Sequence, residues 1–401
     1  MTKTTRSFAT PAEEPFHKHF VAIYGEDRWW KTLYLALSEP TRYAAVVNQY
    51  AMTGEAWLAT QTTATGTAKG LSAIDDSTTV RLAGQGFVEM KLPRLSTDVK
   101  EESGILCFCK ILYVDASQDE KTSSSKDFPQ PTLMASQYGR LQTHWNLDGA
   151  SALVAHLLDV NAGDSVLDLC AAPGGKSVAL SQLLWPSLHA KSSATSTLPP
   201  SRLLSNEADP KRHKRLASNL QAYLPAPLLK SSKILTTNID AATSASSSHN
   251  ALMSGGAFDK VLVDAPCSSE RHIIHSNDRS SWRAGTSKRL AKTQVELLMT
   301  ALKAVRIGGN VMYATCSLEP MENDGVIEKV LASVEKEAKK GGWKWGVELD
   351  FVDGDMEAQL AEQLRLWAEP TNYGWIVLPD HPEGGGLGPL YFCRVTKVSR
   401  T

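Results

Sequence analysis

The chain has no apolar run near the roughly 18–20 residues that a membrane-crossing helix requires. The best candidate, Val178 to Leu184, is short and set among polar residues, so a soluble protein is expected. Its six cysteines, Cys107, Cys109, Cys170, Cys267, Cys316 and Cys393, show no paired zinc-type spacing. That speaks against a disulfide framework or a structural metal, and for reduced thiols. An excess of charge of one sign is missing too: 42 Lys and Arg stand against 43 Asp and Glu, a formal net charge of −1. Any contact with nucleic acid must then come from local basic patches or from a partner.

What is present is ordinary globular composition, 42% hydrophobic and 21% charged over 401 residues, enough for one large domain or two smaller ones. Met1 to Ala12 carries Lys3 and Arg6 with no acid before Glu13, a pattern that suits a mitochondrial transit segment or an untargeted flexible terminus. From Phe16 to Leu112 the character is mixed, with a helix-like run around Trp30 to Tyr50 and a strand-like piece from Ile105 to Val114. The polar stretch Asp115 to Lys126 lacks the apolar residues that repay ordering entropy and is expected to be a loop or linker.

From Leu147 onward, short β-branched runs alternate with helical periods, the mark of βαβ units and a mainly parallel sheet. Strands are expected at Ser165–Leu169, Arg202–Asn206, Ile234–Asn238, Lys260–Asp264, Asn310–Thr315, Trp375–Leu378 and Leu390–Val395. Helices are expected at Lys176–Leu184, Pro210–Tyr223, Ser287–Val305 and Glu322–Lys339. Two inserts, His189–Ser201 and Ala241–Gly256, read as surface loops.

The strand VLDLC runs into AAPGGKS, a glycine turn that lets backbone N–H groups and a helix N-terminus approach an anionic group. A triphosphate-binding loop would need glycine five residues before Gly175, where Cys170 stands, and no G-x-G-x-x-G is present. The turn suits a ligand carboxylate. The second strand ends in Asn206-Glu207, placing an acid where open α/β sheets hold ribose hydroxyls. Asp240 closes the third strand and Asp264 the fourth. Each acid alone also suits a turn or helix cap; the regular series favours a ligand site.

Asp264-Ala265-Pro266-Cys267-Ser268 follows the fourth strand and Ala314-Thr315-Cys316-Ser317 the fifth, so both cysteines reach the edge that carries the glycine turn. Cytosine C5 is a poor nucleophile until a thiolate adds at C6, a reaction that covalent catalysis divides into easier steps. Cys316 is the better thiolate candidate, because Glu319 to Asn323 reads as the start of a helix. A buried core cysteine is the bland alternative for either thiol taken singly.

The segments LDLCAAPGGKS, LVDAPCS and YATCSLEPMEN resemble, in order, three signature blocks of the Nol/Nop/Sun (RsmB-like) RNA cytosine-5 methyltransferases. The resemblance covers about Leu147 to Lys397. It implies a Rossmann-like methyltransferase fold with a mostly parallel seven-stranded sheet over residues 147–401, an accessory, RNA-contacting region over 16–146, and a flexible or targeting segment over 1–15. It further implies Cys316 as nucleophile and Cys267 as the residue that helps resolve the adduct. Cys170, Ala171, Ala172, Pro173, Gly174, Gly175, Lys176, Glu207, Arg212, Asp240 and Asp264 would line the S-adenosyl-L-methionine site. Asp264 would also face the cytosine, and Lys176 would hold base or cofactor unless it is a helix-surface lysine. Glu207 departs from the family, which usually has aspartate there.

Glu270-Arg271-His272, the stretch WWKTLYLALSEPTRYAAVVNQY and the closing GPLYFCRVTKV are similar to the mitochondrial members, one acting on ribosomal RNA and one on transfer RNA. That similarity implies rRNA as substrate, tRNA as the alternative, and an MTERF-type helical-repeat partner. For RNA contact the sequence offers Lys211 to Arg215, which equally reads as a solvated helix face, and Arg271, His272, His275, Arg279 and Arg283 beside Trp282. The target cytosine is expected to be single-stranded or extruded. Two competitors stand: a non-catalytic RNA- or ribosome-assembly module on the same fold, and a nicotinamide-dependent oxidoreductase, suggested by the open sheet alone.

Overall fold

The computed structural model describes residues 13–62, 87–93, 95, 104–110, 128–190, 198–243, 257–351, 358–383 and 385–400. The segment 1–12, the linker Asp115–Lys126, most of both inserts and the end of the strand-like piece 105–114 lie outside these.

Near the start of the described chain, α1 (Glu14–Tyr24) begins with Glu14 and Pro15 in its first turn and stops at Gly25, whose φ is +83°. Both ends follow the usual asymmetry of proline inside the start and glycine past the end. Phe16 and Phe20, one turn apart, join Trp29, Leu33 and Leu37 in a cluster with Val261, Val263 and Leu298 of the main sheet and its helix. Each such fully buried side chain contributes roughly 1.5–3 kcal/mol. The helical run expected over Trp30 to Tyr50 is corrected here. Helix ends at Ser38, before Pro40, and Tyr43–Val47 is a strand, β1. Proline lacks the N–H that would continue the helix, and the Ala44–Val47 side chains are buried within a sheet.

That sheet has the order β2 (Phe87–Glu89), β3 (Cys107–Lys110), β1 and, beyond the hairpin β4 (Leu133–Ser136)–β5 (Gly139–Gln142), β6 (His144–Asp148). β6 leads directly into α2 (Gly149–Leu157), capped by the Asp148 side chain on the Ala150 N–H at 2.9 Å.

The main sheet follows: β7 (Ser165–Asp168), β8 (Arg202–Asn206), β9 (Ile234–Thr237), β10 (Phe258–Asp264), β11 (Val305–Thr315), β12 (Trp345–Leu349), β13 (Glu369–Pro370), β14 (Trp375–Val377) and β15 (Leu390–Ser399). Among the described residues it has nine strands in the order β13-β14-β15-β11-β10-β7-β8-β9, with β12 also on β15. β9, β8, β7, β10 and β11 run parallel, and β15 is antiparallel to β11. This is the expected Rossmann-like α/β fold, with the short β12 and β13 added to the seven strands foreseen. The order reverses between β7 and β10, the switch point where open α/β sheets bind ligands.

The connecting helices are α3 (Gly175–Leu184), α4 (Pro210–Tyr223), α5 (Glu270–His275), α6 (Ala284–Ala304) and α7 (Asp324–Lys339). α2, α3 and α4 bury Leu153, Leu180 and Leu216 on one face of the sheet; α6 and α7 bury Leu298 and Val330 on the other, alongside α1. No helix of the described residues is long and apolar enough to cross a membrane.

Candidate active site

Five parallel strands deliver five turns to one edge. After β7 the chain passes Cys170 and Ala172 to Gly174, which caps α3 at a φ of +118°. Gly175 is demanded by packing more than by a ligand: a Cβ there would lie 2.7 Å from Nε1 of Trp145, a β6 residue. Asn206 ties the neighbouring turns together, its amide donating to the Leu169 and Ile239 carbonyls at 3.0 and 2.9 Å.

Around the switch point lies a cavity of about 380 Å³, within the range of small-molecule sites. Its lining unites Cys170, Ala172, Glu207, Arg212, Asp240, Asp264, Cys267 and Cys316. Ala171, Pro173, Gly174, Gly175 and Lys176 are not in that lining; they shape the turn behind it. Asp240 also caps its own loop on the Ala242 N–H at 3.0 Å. Ile239, Ala241 and Leu297 supply apolar wall. No motif marked Leu297, because α6 reads in sequence only as an amphipathic helix.

The donor set fits S-adenosylmethionine. Buried Glu207 accepts the Asp209 N–H through Oε1, while its Oε2 has only Arg212 at 3.3 Å, leaving an acceptor for a diol. Arg212 also donates to the Ala172 carbonyl at 2.9 Å. Behind this wall Asp168, unmarked in the sequence reading although it ends VLD, accepts from Ser177 at 2.6 Å and has its other oxygen unbonded. Burial pushes its carboxyl up to about 7.

Lys176 is no surface lysine. Its buried ammonium donates to Asp264 at 2.7 Å and Ser151 at 2.8 Å. Burial alone would lower its pKa, but the Asp264 carboxylate more than offsets this and raises it.

The two candidate thiols meet. Sγ of Cys267 lies 2.8 Å from Sγ of Cys316, and Oγ of Ser269 lies 3.1 Å from Cys316 and 3.4 Å from Cys267. The Cys267 S–H and the Ser269 hydroxyl hold Cys316 below the usual thiol range in spite of burial. The same contact, reinforced by burial, pushes Cys267 well above it. Of the two sulfurs, Cys316 is the one whose ionisation this arrangement favours. Ser269, placed by a φ of +53°, escaped the sequence reading, which stopped at Ser268. The helix-start rationale for Cys316 is replaced: α7 begins only at Asp324, and hydrogen bonds across the two loops select the thiolate.

The basic-aromatic cluster after Cys267 is mostly internal scaffolding. Arg271 is buried and donates to the carbonyls of Glu39, Pro40, Gly386 and Gly388. Arg279 pairs with Glu13 at 2.7 Å, Trp282 packs on Phe16 and Phe20, and His275 lies 2.9 Å from the Leu37 carbonyl. His272, His275 and Arg283 are nonetheless exposed, as are Lys211, Arg212, Lys214 and Arg215 on α4.

Comparison with known proteins gives a consistent picture. The family described as 16S rRNA methyltransferase RsmB/F matches residues 155–360. The mitochondrial tRNA (cytosine(34)-C(5))-methyltransferase of Danio rerio is 34% identical over 307 residues, 73% of this chain and 74% of that protein. The 5-cytosine rRNA methyltransferase NSUN4 of Xenopus tropicalis is 32% identical over 271 residues, 67% of this chain and 59% of that protein. The solved structure of NSun6 from Pyrococcus horikoshii with SFG shares the fold at a TM-score of 0.55 and 14% identity, covering 96% of this chain and 97% of that one.

Proposed function

The chain belongs to the RsmB/F family, as an S-adenosylmethionine-dependent RNA cytosine-5 methyltransferase, and from that premise we propose that it works through a covalent Cys316 adduct on a ribosomal RNA. The observation that carries the adduct is the sulfur contact at the carboxyl edge of the sheet, which holds Cys316 below the usual thiol range.

The cofactor, held by Glu207, Arg212 and the turn from Cys170, supplies an electrophilic methyl group when bound. The protein's own residues do the rest. The Cys316 thiolate adds to C6 of an extruded cytosine, and the electron pair of the C5–C6 bond becomes available at C5. Asp264, fixed by the Lys176 ammonium, faces the pyrimidine and holds it by its polar edge. Forming the S–C6 bond also removes the negative charge that had kept Cys267 protonated. Cys267 can then release its proton to solvent and, as thiolate, take the proton from methylated C5; the electron pair of that C–H bond re-forms the C5–C6 double bond as the S–C6 bond breaks and returns Cys316 as thiolate. The same pair thereby serves attack first and release second.

Membership in the family and the mitochondrial names of the relatives support a mitochondrial enzyme. An MTERF-type helical-repeat protein is a fitting partner, since the net charge of −1 supplies little general attraction to RNA. The 34% identity to a mitochondrial tRNA enzyme favours a second reading, in which a tRNA is the target. Methyl transfer to purified mitochondrial rRNA and tRNA, located by bisulfite sequencing, decides between them. We expect a single modified cytosine in rRNA; modification confined to tRNA would replace that reading.

A further inference from the structure

Two buried acids have no part in the chemistry above. Glu270 and Glu322 are both fully buried and form no ion pair among the described residues. A buried carboxylate without a cation is costly, and burial pushes Glu270 up to about 7. Their hydrogen bonds cross. Glu270, on the Cys267 side, accepts the N–H of Leu318, two residues past Cys316, at 2.9 Å. Glu322, on the Cys316 side, accepts the N–H of Ser268, next to Cys267, at 3.1 Å.

Other bonds tie the same two loops. Gln294 of α6 donates to Glu322 at 2.8 Å and to the Pro266 carbonyl at 2.9 Å. The hydroxyls of Ser268 and Ser317 meet at 2.8 Å. Tyr24, from α1, donates to the Leu318 carbonyl at 2.8 Å.

We propose that Glu270 and Glu322 are positioning residues that form a reciprocal clasp, each gripping a backbone N–H of the opposite cysteine loop and so fixing the contact between the two sulfurs. Neither touches substrate. Carboxyl groups suit the task because an oxygen is left to accept the N–H whether or not the group is ionised. Loosening the loops would separate the sulfurs and withdraw the S–H that supports the Cys316 thiolate. With Glu322 removed, the charged groups left around Cys316 are Asp264, Glu270 and Lys176, of which the two acids disfavour a thiolate; with Glu270 removed, one of those two acids is lost as well.

The proposal rests on the reading of Cys316 as the reactive thiolate, so its test reads thiol ionisation apart from methyl transfer. Iodoacetamide labelling of Cys316, followed by peptide mass spectrometry against pH, gives the ionisation midpoint. In Glu322→Ala the midpoint should rise by about one pH unit, and in Glu270→Ala by less, because that change also removes an acid that disfavours the thiolate. Their kcat for RNA should fall about tenfold with KM little changed. Glu322→Gln and Glu270→Gln keep an acceptor oxygen and should retain a midpoint close to the original.

Alanine variants that bind S-adenosylhomocysteine normally and keep the original midpoint would overturn the clasp, as would glutamine variants that move as far as alanine. Should the alanine variants not fold, Gln294→Met, which removes the amide holding Glu322 to Pro266, should still raise the midpoint by a smaller step. No movement there overturns the proposal as well. If Cys316→Ser retained methyl transfer, the nucleophile assignment would fail while the labelling still reported on the clasp.

Discussion

The loops that end β10 and β11 carry the same side chain to the same place, yet one thiol is pushed above its usual range and the other is held below it. Cys267 and Cys316 are 49 residues apart in sequence and 2.8 Å apart in space. Burial pushes both upward, so burial cannot be what separates them. The difference lies in the contact between the sulfurs, which lowers Cys316 and raises Cys267, whereas the Ser269 hydroxyl favours ionisation of both, from 3.1 Å at Cys316 and 3.4 Å at Cys267. Once one of two adjacent thiols ionises, the like charge makes ionisation of the other much harder. On the proposed mechanism, local packing and not chemical identity would select the cysteine that attacks.

The comparison breaks most completely in Cys316→Ser, where the surviving hydroxyl has no comparable ionisation. Methyl transfer should fall by at least roughly a thousandfold, while calorimetric binding of S-adenosylhomocysteine stays near the original. Retained turnover would move the nucleophile elsewhere.

Cys267→Ser should leave attack possible and impede release. Turnover is expected to fall roughly a hundredfold, within the range of lost acid–base assistance. A denaturant-stable protein–RNA band should accumulate with methyl donor present. Normal turnover without that band would show that another group takes the C5 proton.

Ser269→Ala sharpens the comparison instead of breaking it. Cys316 is an acid held below its usual range, so its thiolate is present above that lowered pKa and lost as pH falls through it. Removing the serine hydroxyl moves the loss to higher pH. The acid limb of the kcat/KM profile should shift up by about half a unit, with the rate unchanged well above the limb. A coincident profile would assign the lowering to Cys267 alone.

Legibility also differs between the two halves of the chain. The helix expected at Pro210–Tyr223 and the strand at Arg202–Asn206 agree with the structure residue for residue, because capping by Asp209 and Pro210 and a short apolar run, Leu203-Leu204, bounded by turn residues are local signals. The N-terminal region resisted. Tyr43–Val47 pairs with Cys107–Cys109 on one side and His144–Asp148 on the other, and partners about 60 and 100 residues away leave no local period to read. Arg271 and Arg279 show the same limit at the site. A run of arginine and histidine beside tryptophan looks alike whether it faces RNA or, as here, the carbonyls and carboxylate of a distant arm.

By itself, the order of residues settled that a parallel sheet would form and that an acid or a thiol would close one strand after another at a single edge. Those features follow from hydrophobic period, turn chemistry and the alternation of short strands with helices, all of which act within about 20 residues. Tertiary structure alone decided that Gly175 yields to Trp145, that Lys176 is buried against Asp264, and that the sulfurs of Cys267 and Cys316 meet at 2.8 Å. Each depends on groups brought together from separate loops, and hydrogen bonds and burial act through space at a few ångströms whatever the separation along the chain.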